Sequence, residues 1–305
     1  MKSSKEKKVS LSKSRQRSTR IAATVFLLPV IAIMAIYIVY PIISTFDISL
    51  YDWNGISAKK TYVGLGNWAK LLNDRNFWAA FKNNIILVIC SICTQIPIAL
   101  LLATFLDAGG KKVNFFKVVW FLPLLMSSVA IGFLFSYALA TNGGIISTIS
   151  RALGGGNVDL LGRAPHALYA VIGVIAWQYT PFYMVYFLAG YSGIDTEIYE
   201  ATIIDGATRG QYIRYVALPL LTPVIKTACI LSLIGSLKYF DLIYVMTGGG
   251  PGTATELMAT YMYKLSFSHF KMGYGSTVAA GMFILVTGIA LTIQNLVLKR
   301  RGELV

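Results

Sequence analysis

The densest run of groups able to hold a polar ring is Trp177-Gln-Tyr-Thr-Pro-Phe-Tyr183, with Tyr186 close behind. Aromatic faces cover apolar ring faces, while phenol, indole and amide groups satisfy hydroxyls. Trp177, Gln178, Tyr179, Tyr183 and Tyr186 are therefore candidate contacts for a polyhydroxylated ligand, although a packed aromatic core or an interfacial belt uses the same residue types. Pro181 frees the carbonyl of Trp177 and bends any helix that carries it. Further on, Ser232, Gly235, Ser236 and Tyr239 recur at i, i+3, i+4 and i+7, a small polar stripe on one helical face. Lys238 and Asp241 are spaced to pair, and a structural ion pair is favoured over a ligand contact or gate; Asp241 stays among the candidate path residues.

Other chemistry is missing from the sequence. No Gly-x-x-x-x-Gly-Lys-Ser/Thr phosphate loop occurs, so ATP-driven work has to come from a separate subunit. His166 and His269 stand apart, with no metal constellation and no nucleophile elbow, so no catalytic residue, metal ligand or cofactor is assigned to this chain. Cys90-Ser-Ile-Cys93 has redox-motif spacing, but apolar surroundings make thiols inert, and Cys229 is likewise read as packing.

The elements that carry these residues cross a bilayer. Only 13% of the residues are charged and the mean hydropathy is +0.64, which excludes an ordinary water-soluble domain. Uncharged stretches cover 21–46, 83–106, 118–150, 167–194 and 274–298, each long enough for the roughly 20 residues that a spanning helix needs. A sixth, over 217–246, is interrupted by Lys226, Lys238 and Asp241 and starts at Leu218-Pro219, where proline fits a first helical turn. The fold class is thus all-α integral membrane with six transmembrane helices. It divides into a basic tail (1–20), a first helix (21–46), an outer loop (47–83), a five-helix core (84–300) and a short tail (301–305). The first helix is retained, being too long for a signal h-region and lacking a small-residue cleavage site.

Lys and Arg in short connecting segments set orientation. With the tail inside, sixteen face the cytoplasm and nine the exterior, which puts both termini in the cytoplasm. The net charge of +14 is thus a topology signal with lipid-headgroup contact as a corollary, and nucleic-acid binding is disfavoured.

Between the fourth and fifth of the chain's six apolar stretches lies a polar island, Glu200-Ala-Thr-Ile-Ile-Asp-Gly-Ala-Thr-Arg209 and on to Leu218-Pro219. A helix over 196–204 gathers Ile198, Ala201 and Thr202 on one face, Gly206 permits a turn, and a second helix over 208–217 follows. Such a helix pair is too short to span and forms a knob. With the preceding Leu188-Ala-Gly-Tyr-Ser-Gly-Ile-Asp-Thr-Glu-Ile-Tyr, this phrase resembles the Glu-Ala-Ala loop of permease subunits in binding-protein-dependent ABC importers. Glu200, Ala201, Gly206, Leu218 and Pro219 fall in register, while Thr202 replaces the second alanine and Gly210 stands where a bulky residue is common. Tyr239-Phe-Asp-Leu-Ile-Tyr-Val-Met-Thr-Gly-Gly-Gly-Pro251 looks like the carbohydrate-importing branch.

The resemblance covers about residues 84–300 and implies a type I ABC importer permease fold in a bacterial or archaeal plasma membrane. It implies that Glu200, Ala201, Asp205, Gly206, Ala207, Arg209, Leu218 and Pro219 belong to a coupling loop (196–217) docking on an ATPase subunit. It further implies that the fifth helix lines a sugar cavity. The implied partners are a second permease subunit, two ATP-binding subunits using ATP and Mg, and an extracytoplasmic solute-binding protein. Import of another polar solute, such as a glycerol phosphate ester, is the alternative. An ion-coupled secondary transporter is the remoter one, because it would want several intramembrane carboxylates and only Asp241 qualifies.

Overall fold

The computed structural model describes residues 22, 24–109, 113–164 and 166–299. The basic tail, Lys111, Lys112, Pro165, Arg300, Arg301 and the short tail at 301–305 lie outside the described residues. A bilayer core supplies no partners for backbone N–H and C=O groups, so long apolar runs close their own hydrogen bonds as helices. The resulting elements are α1 (Thr24–Ile48), α2 (Gly66–Leu72), α3 (Arg75–Gly109), α4 (Asn114–Leu125), α5 (Ser128–Ala138), α6 (Ile145–Ala152) and α7 (His166–Tyr191). They continue with α8 (Thr196–Ile204), α9 (Arg209–Tyr212), α10 (Leu218–Leu237), α11 (Asp241–Met246), α12 (Met258–Tyr263) and α13 (Met272–Lys299). The one sheet among the described residues is a two-stranded antiparallel hairpin, β1 (Tyr51–Asp52) with β2 (Thr61–Tyr62).

The centre of the bundle is α3 packed along α7, with α10 against both. Ala99, Ala103 and Ala228 are wholly buried there. Small side chains let helix backbones approach closely, which is how apolar helices associate when lipid is as apolar as they are. A second cluster, Leu87, Ile131, Val171, Leu242 and Ile243, joins α3 and α7 to α5 and α11. By contrast, α1 buries none of its apolar window and touches the rest chiefly where its C-terminal part meets α13, with Phe46 edge-on to Phe283 at 6.1 Å.

The structure departs from the sequence reading at two places. The apolar stretch 118–150 is not one straight span: α4 and α5 meet at 93°. Met126 and Ser127 are extended between them, and Gln178 of α7 donates to the Ser128 hydroxyl at 3.1 Å, holding the start of α5 against the core. The second knob helix expected over 208–217 is also not a separate element. The turn α9 passes through a π-helical segment, Ile213–Ala217, directly into α10, so the knob's second arm is the N-terminal end of a span.

At the start of α3, Asp74 fastens that helix to the two helices that return to it. Its carboxylate accepts hydrogen bonds from Tyr261 (2.6 Å), Tyr274 (2.5 Å) and the backbone N–H groups of Asn76 and Phe77. Burial opposes its ionisation, but these four donors outweigh burial and hold the carboxyl below its ordinary value. Burial, reinforced by the bond to Asp74, pushes the Tyr261 phenol up. Because the native carboxyl takes up a proton less readily than the unfolded one, its contribution is complete above about pH 4 and is lost as pH falls through the native value. Acid unfolding of the solubilised protein checks this: Asp74→Asn should lack that component below about pH 4 and be less stable at neutral pH by roughly 1–3 kcal/mol.

Candidate functional site

Three helices converge on a cavity of about 120 Å³ lined by Gln95, Ile175, Tyr179, Tyr183, Ser232, Gly235, Ser236 and Tyr239. α10 supplies the serine stripe, because i, i+3 and i+4 positions share a face. α7 supplies Ile175, Tyr179 and Tyr183, one helical turn apart, and α3 supplies Gln95. The Tyr179 and Tyr239 rings meet edge to face at 6.0 Å, closing one wall. Ser232 donates to Gln95 Oε1 across the floor at 3.5 Å, a long bond between two buried groups. The hydroxyl of Tyr239 is buried and makes no hydrogen bond of good geometry. An unpaired buried polar atom costs roughly 1–3 kcal/mol, so a ligand hydroxyl there recovers free energy. No ionised side chain lines the cavity.

Tyr179, Tyr183, Ser232, Gly235, Ser236 and Tyr239 are thus brought together. Trp177, Gln178, Tyr186 and Asp241 are not among the lining residues. Trp177 points away and packs on Phe135 at 5.3 Å, the Gln178 amide N–H donates to Ser128 while its Oε1 is buried without a partner, and Asp241 stands exposed at the start of α11. Lys238 and Asp241 form no ion pair, because Lys238 ends α10 and the chain changes direction before Asp241, taking the two out of helical register.

Two buried amides escaped the sequence reading. Gln95 lines the cavity. Asn84, wholly buried on α3, donates to the carbonyls of Ser236 and Leu237 at 3.0 and 3.1 Å and accepts from the Met258 N–H at 2.9 Å. A helix end leaves carbonyls without partners, so Asn84 explains why α10 can stop in a buried place and why α12 begins beside it. An amide inside an otherwise apolar span was the available signal.

At the knob, α8 ends in a Schellman turn: the Ala207 N–H donates to Thr202 O and the Gly206 N–H to Ile203 O, both at 3.0 Å. Gly206 takes a φ of 77°, which any Cβ disfavours. Thr208 and Gln211 then form a reciprocal capping box that starts α9. The ring of Tyr199 meets Tyr212 at 4.9 Å and fixes α8 to α9, while Glu200, Ala201, Asp205, Gly206 and Arg209 are all exposed and Ala207 is half-buried. A concavity of about 310 Å³ lies beside Asp205, Gly206 and Tyr215. Leu218 and Pro219 open α10, as expected for proline in a first turn.

Comparison with known proteins agrees with this arrangement. A putative ABC transporter permease protein of Caldicellulosiruptor sp. is 69% identical over 121 residues, covering 40% of this chain and 86% of its own length. The trehalose/maltose transport system permease protein MalF of Thermococcus litoralis is 32% identical over 267 residues, covering 85% of this chain and 88% of its own. The fold matches a chain of a bacterial alginate ABC transporter, solved in complex with an alginate pentasaccharide-bound periplasmic protein. That match has a TM-score of 0.79 and 23% identity, and covers 92% of this chain and 94% of that one. Residues 95–302 match the family of binding-protein-dependent transport system inner membrane components, and the chain therefore belongs to that family of ABC importer permeases, multi-pass membrane subunits of a transport machine.

Proposed function

We propose that this permease imports a neutral carbohydrate, an oligosaccharide or sugar derivative, and that it forms one wall of the translocation path. The observation that carries this reading is the cavity on α3, α7 and α10. It offers aromatic rings, two serine hydroxyls, an amide and the unpaired Tyr239 hydroxyl, without a fixed charge. Sites for drug-sized ligands occupy about 300–1,000 Å³, so 120 Å³ cannot enclose an oligosaccharide within this chain alone. A second permease subunit, expected to be a different chain, supplies the facing wall. The relative named for trehalose and maltose and the solved transporter bound to an alginate-loaded periplasmic protein support both the substrate class and a solute receptor.

In this reading ATP is hydrolysed by two partner subunits and not by this chain. The knob of α8 and α9 lies in the cytoplasm with both termini, as the Lys and Arg distribution favours. ATP binding draws the partner ATPases together and moves the knobs with them. The cavity then switches from facing inward to facing outward, where the receptor delivers its sugar.

Uptake by the reconstituted transporter tests the proposal. Replacing Ser236 with Ala and Tyr239 with Phe together removes two hydrogen-bonding groups, each contributing about 1 kcal/mol. Transport should weaken about tenfold or more, with ATPase assembly intact. Unchanged uptake would make the stripe mere packing.

A further inference from the structure

A basin of about 430 Å³ opens at the outer end of the bundle, apart from the cavity and the knob. Lys70, Arg75 and Lys271 stand around it, with Asp74, Tyr261 and Tyr274 among its walls. It rests on a separate core cluster of Leu71, Phe77, Leu265 and Val278, joining α2 and α3 to α13 and the segment after α12. It is therefore not an extension of the sugar path.

Like charges gathered in one concavity repel unless an anion sits among them. The only carboxylate in the lining, Asp74, offsets one of these charges, and both its oxygens are engaged by tyrosines and backbone, so the lining keeps a net positive charge. None of the three ion pairs among the described residues involves Lys70, Arg75 or Lys271. The Lys70 ammonium lies instead over the Tyr274 ring at 4.3 Å, so one of the three cations is held in place without being neutralised. Lys271 is presented by strained backbone: the preceding Phe270 has a φ of 52°, rare for an aromatic residue, and the Lys271 N–H is tied to Leu265 O at 2.8 Å. Three cations around a single carboxylate, Lys70 and Lys271 among them held or presented, make a net positive socket for an incoming oxyanion, and the Arg75 guanidinium favours carboxylate by two parallel bonds.

We propose that this basin receives a carboxylate side chain of the extracytoplasmic solute receptor, clamped by Lys70, Arg75 and Lys271. The proposal rests on the importer reading above and names the contact by which the receptor is seated. A protein carboxylate suits the lining better than a phospholipid headgroup, because Leu265 is the sole apolar aliphatic residue in it. The basin also lies around the first residues of α3 and α13, at the ends of both candidate spans.

A photo-cross-linking residue at Asn73, an exposed lining position, tests this in cells that express the whole transporter. The expected adduct is the soluble protein whose gene deletion abolishes uptake, joined at a peptide bearing Asp or Glu. Its yield should fall at least about tenfold in Lys70→Gln/Lys271→Gln and return in Lys70→Arg/Lys271→Arg, which keep the charge. An adduct with phospholipid, or one whose yield ignores the charge changes, overturns the socket. Absence of an adduct while receptor-dependent uptake persists also discards the socket but leaves the importer reading standing. A transporter whose uptake needs no receptor discards both.

Discussion

Lys264→Met should destabilise the protein by about 3–5 kcal/mol, because it leaves a buried carboxylate without its counter-charge. Glu256 is 3% exposed, and its two oxygens are held by the Lys264 ammonium and by the Thr260 hydroxyl at 2.6 Å. The backbone closes over the same carboxylate: a Cβ on Gly249 would sit 2.5 Å from Glu256 Oε2, and Asn83 ties the carbonyls of Thr253, Ala254 and Glu256 to α3. Chemical unfolding in detergent should show the loss, with Glu256→Gln milder because Lys264 is partly exposed and can turn to solvent. The double change Glu256→Met/Lys264→Met should recover most of the stability, since two apolar side chains bury without a desolvation cost. A double variant as unstable as Lys264→Met would show that the loop needs hydrogen bonds rather than charge balance.

The second large effect belongs to the turn between α8 and α9. Gly206→Val should cut uptake more than tenfold while leaving membrane insertion intact. No atom lies within 4 Å of a Cβ built there, so crowding is not the obstacle. The obstacle is φ, at 77°, where a residue with a Cβ costs about 1–2 kcal/mol and a β-branched one more. The turn would open, and both hydrogen bonds to the end of α8 would go with it. Gly206→Asn should keep much of the activity, because asparagine tolerates the left-handed region. Glu200→Lys reverses an exposed charge on the knob proposed to dock on the motor and should also uncouple ATP hydrolysis from transport. Paired uptake and ATPase assays in proteoliposomes measure both. An asparagine variant as poor as the valine one would move the cause from backbone sign to side-chain size.

Which features could be read in advance follows from the range of the forces involved. The spans were legible because the bilayer imposes a length and an apolar composition on each helix separately. The Gly206 turn was legible because a Schellman turn is complete within six residues. The right angle between α4 and α5 was not: Pro123 signals a bend, but the break sits where Ser128 meets Gln178, fifty residues away. Gln95 and Asn84 were hidden for a related reason. An uncharged amide barely disturbs a hydropathy window, while its partners lie 137 to 174 positions along the chain. Rotation about the helix separates Trp177 from this cavity. Tyr179 and Tyr183 share a face of α7, and Trp177, two residues before Tyr179, falls on the opposite side.

The continuity of α9 with α10 has a mechanical consequence. From Arg209 to Leu237 the backbone never leaves helical geometry, a rod of about 40 Å at 1.5 Å per residue. In the importer reading proposed above, one end carries the surface offered to the motor and the far end carries the serines. A tilt imposed from below reaches the cargo as displacement through the backbone itself, and the wider π-helical coil at Ile213–Ala217 is the stretch where such a stroke could be softened or lost.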